Sequence, residues 1–195
     1  MKINTDTIKQ LREETGLGVM DCKKALDEAA GDINKAKALL KHRGLEIVAK
    51  KSGRTANDGI IASYVHTGGK IGVLVEINCE TDFVARNELF QVFAKNICLQ
   101  IVASSPSCIK IEEVPETTLV EAKSVWEKEF KDKTAGAREK ILEGKLAEFY
   151  RTHVLLNQAF IREPEKTIQD YLNEITARIG EKITIRRFVR WSLGT

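Results

Sequence analysis

Apolar positions in the first fifty residues recur at helical spacing. Ile8 and Leu11 mark a first helix that stops near Thr15-Gly16, and Val19, Cys22, Ala25, Leu26 and Ala29 mark a second, ended by Gly31. Asp32 is placed to cap a third helix, with Ile33, Ala36, Leu39 and Leu40 turned inward and Gly44 after it. Leu45 to Val48 adds a short fourth element. Helices this short close only a small core, and modules of that size often serve as docking platforms. The stretch 51–58 is polar, contains Gly53 and lacks periodicity, so it is expected to be a linker. It separates a helical domain, 1–50, from a second domain, 59–195.

From Ile60 the period falls to two. Ile60–Val65 and Ile71–Ile77 are β-rich runs joined across Thr67-Gly68-Gly69-Lys70, a hairpin signal, and Ile71, Val73, Val75 and Ile77 alternate onto one face. Helical spacing returns with Leu89, Phe90, Phe93, Ile97 and Ile101, and Ser104-Ser105-Pro106 ends that helix. Two amphipathic stretches come next, one with Leu119, Ala122, Trp126 and Phe130 on a stripe, the other with Ile141, Leu142, Leu146, Phe149 and Tyr150. Ile168, Leu172, Ile175 and Ile179 outline a helix closed by Gly180. In the last run, Lys182 to Trp191, Ile183, Ile185, Arg187 and Val189 alternate with Thr184, Arg186, Phe188 and Arg190. This order predicts an α+β domain, a three-stranded antiparallel sheet covered on one face by helices, with the aromatic and aliphatic stripes as its core.

Composition narrows the class. With 195 residues, 43% hydrophobic and 30% charged, the chain has enough apolar content for a packed core. No run approaches the roughly 18 apolar residues of a membrane span, and the start lacks the apolar block of a signal peptide, so a cytoplasmic location is expected. Cys22, Cys79, Cys98 and Cys108 form no C-x-x-C pair and have no histidine at ligand spacing, so they are expected to be reduced, packed thiols rather than a zinc site. The net charge of +3 is unevenly held: residues 1–56 carry 12 Lys/Arg against 8 Asp/Glu. That excess suits an anionic partner, nucleic acid or an acidic protein face, without choosing between them.

Catalytic signatures are missing. There is no phosphate-binding G-x-x-x-x-G-K-[ST], Gly16 and Gly18 lack the third glycine of a dinucleotide fingerprint, and no H-E-x-x-H, G-x-S-x-G or kinase set occurs. The expectation is a binding protein, not an enzyme, with no metal or other cofactor. One segment breaks the local rules: Asn78-Cys79-Glu80-Thr81-Asp82-Phe83-Val84-Ala85-Arg86-Asn87 is polar and turn-forming, yet sets a large apolar residue in its middle. Thr81 or Asp82 can cap the next helix, which puts Phe83 in the first turn at a corner. Two placements are open to it: folded back on its own helix, or presented to a partner as an aromatic plug with Asp82 beside it.

The run Glu76-Ile77-Asn78-Cys79-Glu80-Thr81-Asp82-Phe83-Val84-Ala85-Arg86 resembles the core signature of bacterial elongation factor Ts, and Leu11 to Leu26 resembles that family's N-terminal signature. The likeness extends to Ile179-Gly180-Glu181-Lys182-Ile183 and Arg186-Arg187-Phe188. It implies a three-helix N-terminal domain similar to ubiquitin-associated domains, then an α+β core. It implies a guanine-nucleotide exchange factor that binds elongation factor Tu and speeds release of GDP. In the family the Asp-Phe pair, here Asp82 and Phe83 between Thr81 and Val84, enters the partner beside its magnesium and phosphate site. The N-terminal signature docks on the same partner domain, and Arg12, Val19, Met20 and Lys23 fill the matching positions; His66 matches a position near the partner in longer members. The chain has room for one core module, and single-module relatives act as two-fold dimers, so a homodimer is expected. It departs from the family in Val19, where a larger methionine is common, and in having no cysteine near its C-terminus.

A second function class stays open: an RNA-binding translation protein using Lys50–Arg54 and Arg186–Arg190, where arginines alternate with Phe188. The plainer account of those charges is a solvated tether and a protected edge strand. On the exchange-factor alternative the protein contacts no nucleic acid or membrane directly.

Overall fold

Helix-capping chemistry sets the first three elements of the computed structural model, which describes residues 4–194. The outermost residues of the expected domains, 1–3 and 195, lie outside the described residues. Asn4 caps α1 (Thr5–Thr15), and Gly16 ends it in the left-handed region at φ 67° while its N–H donates to Arg12 O. Helix α2 (Val19–Glu28) stops three residues before Gly31, whose N–H donates to Leu26 O at 2.9 Å. Asp32 caps α3 as expected, accepting from Lys35 N–H at 3.0 Å. The far end of this helix differs from expectation: α3 (Ile33–Lys51) runs through Gly44 without a break, so there is no separate element at 45–48. A glycine inside a helix lowers its stability, but a Cβ at Gly44 would sit 3.3 Å from the Ala177 Cβ, so close packing accounts for it. Leu11, Cys22, Ala25, Leu26, Ala36 and Leu40 form the small buried core of the three helices.

Strands β1 (Asp58–Val65) and β2 (Ile71–Cys79) make the expected hairpin, closed by His66 N–H to Ile71 O and turned through Gly68 and Gly69, both at positive φ. After the one-turn helix α4 (Asp82–Ala85) come α5 (Glu88–Ser104), α6 (Glu116–Glu129), α7 (Ala135–His153), the short strands β3 (Ala159–Phe160) and β4 (Glu163–Thr167), α8 (Ile168–Ile179) and β5 (Thr184–Ser192). The main sheet is three-stranded in the order β1-β2-β5. Leu193 N–H donates to Lys70 O, and Arg187 meets Glu76, so one number falls as the other rises, the antiparallel register. Val73, Val75 and Ile77 are buried on one face, and Phe93, Ala94, Ile97, Cys98 and Ile101 of α5 are buried too. All four cysteines are free, and three of them are buried. Among the described residues no helix is long and apolar enough to cross a membrane.

Three features differ from the sequence expectation. The stripes of α6 and α7 are not core: neither helix holds a buried residue, and Trp126 instead meets Phe149 edge-on at 6.3 Å. Two amphipathic helices paired mainly with each other leave every side chain partly wet. Strands β3 and β4 form a second, antiparallel pair that the pattern did not announce, since two residues are too few to show a period and Pro164 argues against a strand. The outer face of the main sheet is apolar and bare: Ile61, Val65, Leu74, Val189 and Trp191 are exposed, with Leu193 beyond β5. Alternation slips at Arg186 and Arg187, both exposed, which puts Arg187 on that face against Glu76 at 2.7 Å.

The described residues pack into two compact units, one of those up to Gly59 with Asn78–Phe90 and Leu172–Thr184, the other of the remaining stretches. The second contains a buried polar node. Gln100 is fully buried; its amide N–H groups reach Gln158 Oε1 and Ala159 O, and its carbonyl accepts from Ile161 N–H at 3.0 Å. Gln158, also buried, donates to Thr152 O at 2.8 Å. The near-isosteric Gln100→Leu strands those partners without opening a large cavity. Of those partners only Gln158 is a buried residue, and stranding one buried group costs about 1–3 kcal/mol, so the variant should lose about that much in urea unfolding. A loss within experimental error would show that the node contributes nothing.

Candidate functional site

Strand β2 ends at Cys79, and the chain must leave the sheet there without stranding its backbone N–H groups. The buried Cys79 thiol donates to Thr81 O at 3.1 Å. Burial first, then the nearby Glu181 and Asp58 carboxylates, push its pKa up to about 11, so it is a neutral donor rather than a nucleophile. Thr81, extended at φ −133° and ψ 155°, caps α4, its hydroxyl accepting from Val84 N–H at 3.5 Å. Ala85 is the buried anchor of that turn. Phe83, two residues earlier, lies about 200° around the helix and so faces away from it. It is 80% exposed. Asp82 pairs with Arg86 at 3.1 Å, an i,i+4 contact in which both groups stay accessible.

Beneath this corner two carboxylates exchange backbone partners. Glu181, in the turn between α8 and β5, accepts from Glu80 N–H at 3.2 Å, from Thr81 N–H at 3.1 Å and from the Thr81 hydroxyl at 2.8 Å. Glu80 in turn accepts from Lys182 N–H at 2.7 Å and from the Arg54 guanidinium at 3.0 Å. The Lys182 N–H, and after it the Arg54 side chain, hold the Glu80 carboxyl below the usual range. The Lys182 ammonium donates to Ser52 O and Arg54 O, both at 2.7 Å, and so satisfies carbonyls beyond the end of α3. Three segments far apart in sequence therefore meet in one polar knot: 52–54, 80–81 and 181–182.

The residues singled out from sequence fall into three groups. Thr81, Asp82, Phe83 and Val84 all lie at the corner. Arg12 on α1 and Val19, Met20 and Lys23 on α2 are exposed and belong to the same compact unit, Met20 at 62%. Arg178 of α8 packs on the turn between α1 and α2, where a Cβ on Gly16 would lie 2.4 Å from its Nε. His66 belongs to the other unit, at the β1–β2 hairpin, its Nδ1 3.4 Å from the Tyr64 hydroxyl. Sequence reasoning passed over Glu80, Glu181, Lys182 and Arg54 as contributors to the corner. Their spacing of roughly a hundred residues leaves no periodic signal, although Gly180 before Glu181 marked a turn. Among the described residues no cluster of His, Cys, Asp or Glu could hold a metal ion.

Comparison with known proteins agrees with the motifs of the corner. The profile of the family described as Elongation factor TS matches residues 33–195. Similar relatives include elongation factor Ts of Caldanaerobacter subterraneus subsp. tengcongensis, 50% identical over 98% of this chain and 97% of its own. That of Coprothermobacter proteolyticus is 48% identical over the full length of both chains. That of Geotalea daltonii is 48% identical over all of this chain and 91% of its own. Identity near one half along the whole chain, on both sides of the corner and through the α1–α2 region outside the profile match, leaves one assignment: the chain belongs to the elongation factor Ts family of translation elongation factors.

Proposed function

We propose that the chain is a guanine-nucleotide exchange factor for elongation factor Tu, with Phe83 as the wedge that loosens GDP. One observation carries this: a large aromatic, 80% exposed, on a backbone clamped through Glu181, Cys79 and the Thr81 cap. Exposed apolar side chains are common; one presented on an immobilised corner is organised for a partner. Exchange is a linkage problem. A factor that weakens GDP binding must itself be weakened by GDP by the same factor. An aromatic that fits only the loosened state of the partner supplies such a differential contact, with Asp82 as the polar neighbour and Thr81 and Val84 framing it. The reaction makes no covalent bond and uses no cofactor of this chain.

In this proposal the helical domain 1–50, similar to ubiquitin-associated domains, docks through Arg12, Val19, Met20 and Lys23. The stretch 51–58 links it to the core 59–195, and His66 lies near the partner's surface. The RNA-binding alternative gains no support, since Arg54 is paired with Glu80 and Arg187 with Glu76. A homodimer through the core completes the proposal, and the bare outer face of the sheet is its surface. Beside the apolar Ile61, Val65, Leu74, Val189 and Trp191, that face carries an acid and a base, Glu76 and Arg187. Glu76 and Arg187 are already matched to each other within the chain, so the contact rests on the apolar side chains, which a two-fold axis sets against the same patch of a second copy.

Fully burying a Phe is worth roughly 1.5–3 kcal/mol, so Phe83→Ala should slow saturated, stimulated GDP release by about one to two orders of magnitude. Its thermal midpoint should barely move, because an exposed side chain contributes within about 0.5 kcal/mol. Asp82→Ala should cost less. Stopped-flow release of a fluorescent GDP analogue, run beside a thermal melt, checks both, and an unchanged Phe83→Ala release rate would refute the wedge.

Docking residues should act on affinity instead. Met20→Ala with Lys23→Ala should raise the half-saturating concentration about five- to thirtyfold, as for the loss of about 1–2 kcal/mol of interface contact. The maximal rate should hold. A fall in maximal rate at unchanged half-saturation would contradict a docking role.

Light scattering of the wild-type chain at tens of micromolar should return about twice its 21.9 kDa mass. Trp191→Asp, a charge placed at the centre of an apolar contact, should shift it to the monomer. A monomeric wild type would remove the dimer from the proposal.

A further inference from the structure

We propose that Glu181 is a positioning residue for exchange: its carboxylate fixes the backbone of the Glu80–Thr81 corner so that Phe83 is presented outward before the partner arrives. This rests on the proposed role of Phe83. The geometry is specific. One carboxylate accepts hydrogen bonds from two successive backbone N–H groups, of Glu80 at 3.2 Å and Thr81 at 3.1 Å, and from the Thr81 hydroxyl at 2.8 Å. A hydroxyl has one proton and two lone pairs. With its proton committed to Glu181, Thr81 Oγ1 is left to accept from Val84 N–H, the contact that caps α4. Glu181 thus orients the cap, the cap sets the first turn, and that turn aims Phe83 away from buried Ala85.

Without the carboxylate two N–H groups and a hydroxyl lose their acceptor together, and the corner is free to sample other φ and ψ values. Phe83 would then have to be ordered during binding, which lowers the fraction of encounters that reach the nucleotide-loosened state. Displacement of a contacting group by about 1 Å can cost up to about a hundredfold in rate. Glu181 itself is only partly accessible, and its hydrogen-bond acceptors face inward to the chain, so it acts through Phe83 and not on the partner.

The test is a double-mutant cycle on saturated, stimulated GDP release, with each protein scaled to its folded fraction from a thermal melt. Glu181→Ala should slow release about tenfold in the wild-type background. Glu181→Gln keeps one acceptor oxygen but not the charge, and charge-assisted hydrogen bonds are roughly twice as strong as neutral ones, so it should slow release by about threefold. In the Phe83→Ala background both substitutions should change the rate by less than about twofold, because the group they position is gone. Equal slowing in both backgrounds would overturn the proposal, since a general loss of structure acts regardless of Phe83. No slowing of the wild-type background would overturn it too. Should Glu181→Ala fail to fold, Glu181→Gln carries the cycle alone. The failure of the wedge itself is read separately, as a Phe83→Ala rate equal to wild type.

Discussion

Two successive backbone N–H groups at the end of β2 have no strand partner and no helix to enter, and the conformation of the corner depends on what accepts them. Here it is the Glu181 carboxylate, a hundred residues away in sequence. The Glu80 donor is partly buried and the Thr81 donor exposed, so the carboxylate contributes chiefly by fixing the direction of both. The reciprocal bond from Lys182 N–H to Glu80 makes the arrangement two-sided, so neither segment moves without stranding a donor on the other. Lys182 then extends the restraint to the end of α3 through two carbonyls. The three N-terminal helices register on their own apolar core, while the two carboxylates register the segments 80–81 and 181–182.

A hydrogen-bonded corner under an exposed aromatic suits the exchange role proposed for it. Exposure of Phe83 gives the free protein no stability, and a mobile Phe83 would lose conformational entropy at the moment of binding. Clamping the backbone beforehand moves that cost into folding, where it is shared with other contacts. The i,i+4 pair between Asp82 and Arg86 acts in the same direction, although as an exposed pair it adds at most about 1 kcal/mol.

Legibility in the sequence tracked range. Local devices could be read directly: Gly16 and Gly180 as helix stops, Asp32 as a cap, Thr81 or Asp82 as the next one, Gly68-Gly69 as a hairpin turn, Phe83 as a residue out of keeping with its neighbours. Gly44 misled because a glycine at a helix end and a glycine under a close helix contact look alike until Ala177 is in place. The stripes of α6 and α7 gave their helices correctly but not their destination, since amphipathicity states that a face is covered and not by what. Gln100 sits fully buried among Ile97, Cys98 and Ile101, where a polar residue in an apolar stripe could equally have been an exposed position. The knot was beyond reach, because a glutamate serving two distant N–H groups has the same local signature as one that is solvated.

Docking and wedging place a joint mechanical demand on the fold. A wedge can strain a partner only if the surface that grips the partner and the residue that pushes are held together; otherwise binding energy relaxes by motion between them. Arg12, Val19, Met20 and Lys23 share one compact unit with Phe83, assembled from three separate stretches of chain. Within that unit, Arg178 packs on the α1–α2 turn at Gly16, Ala177 meets α3 at Gly44, and a few residues on Glu181 and Lys182 grip the corner and the end of α3. The segment 177–182 therefore joins the proposed docking surface to the proposed wedge. It meets the α1–α2 turn, α3 and the corner, which is how a glutamate a hundred residues away in sequence comes to bear on the backbone under Phe83.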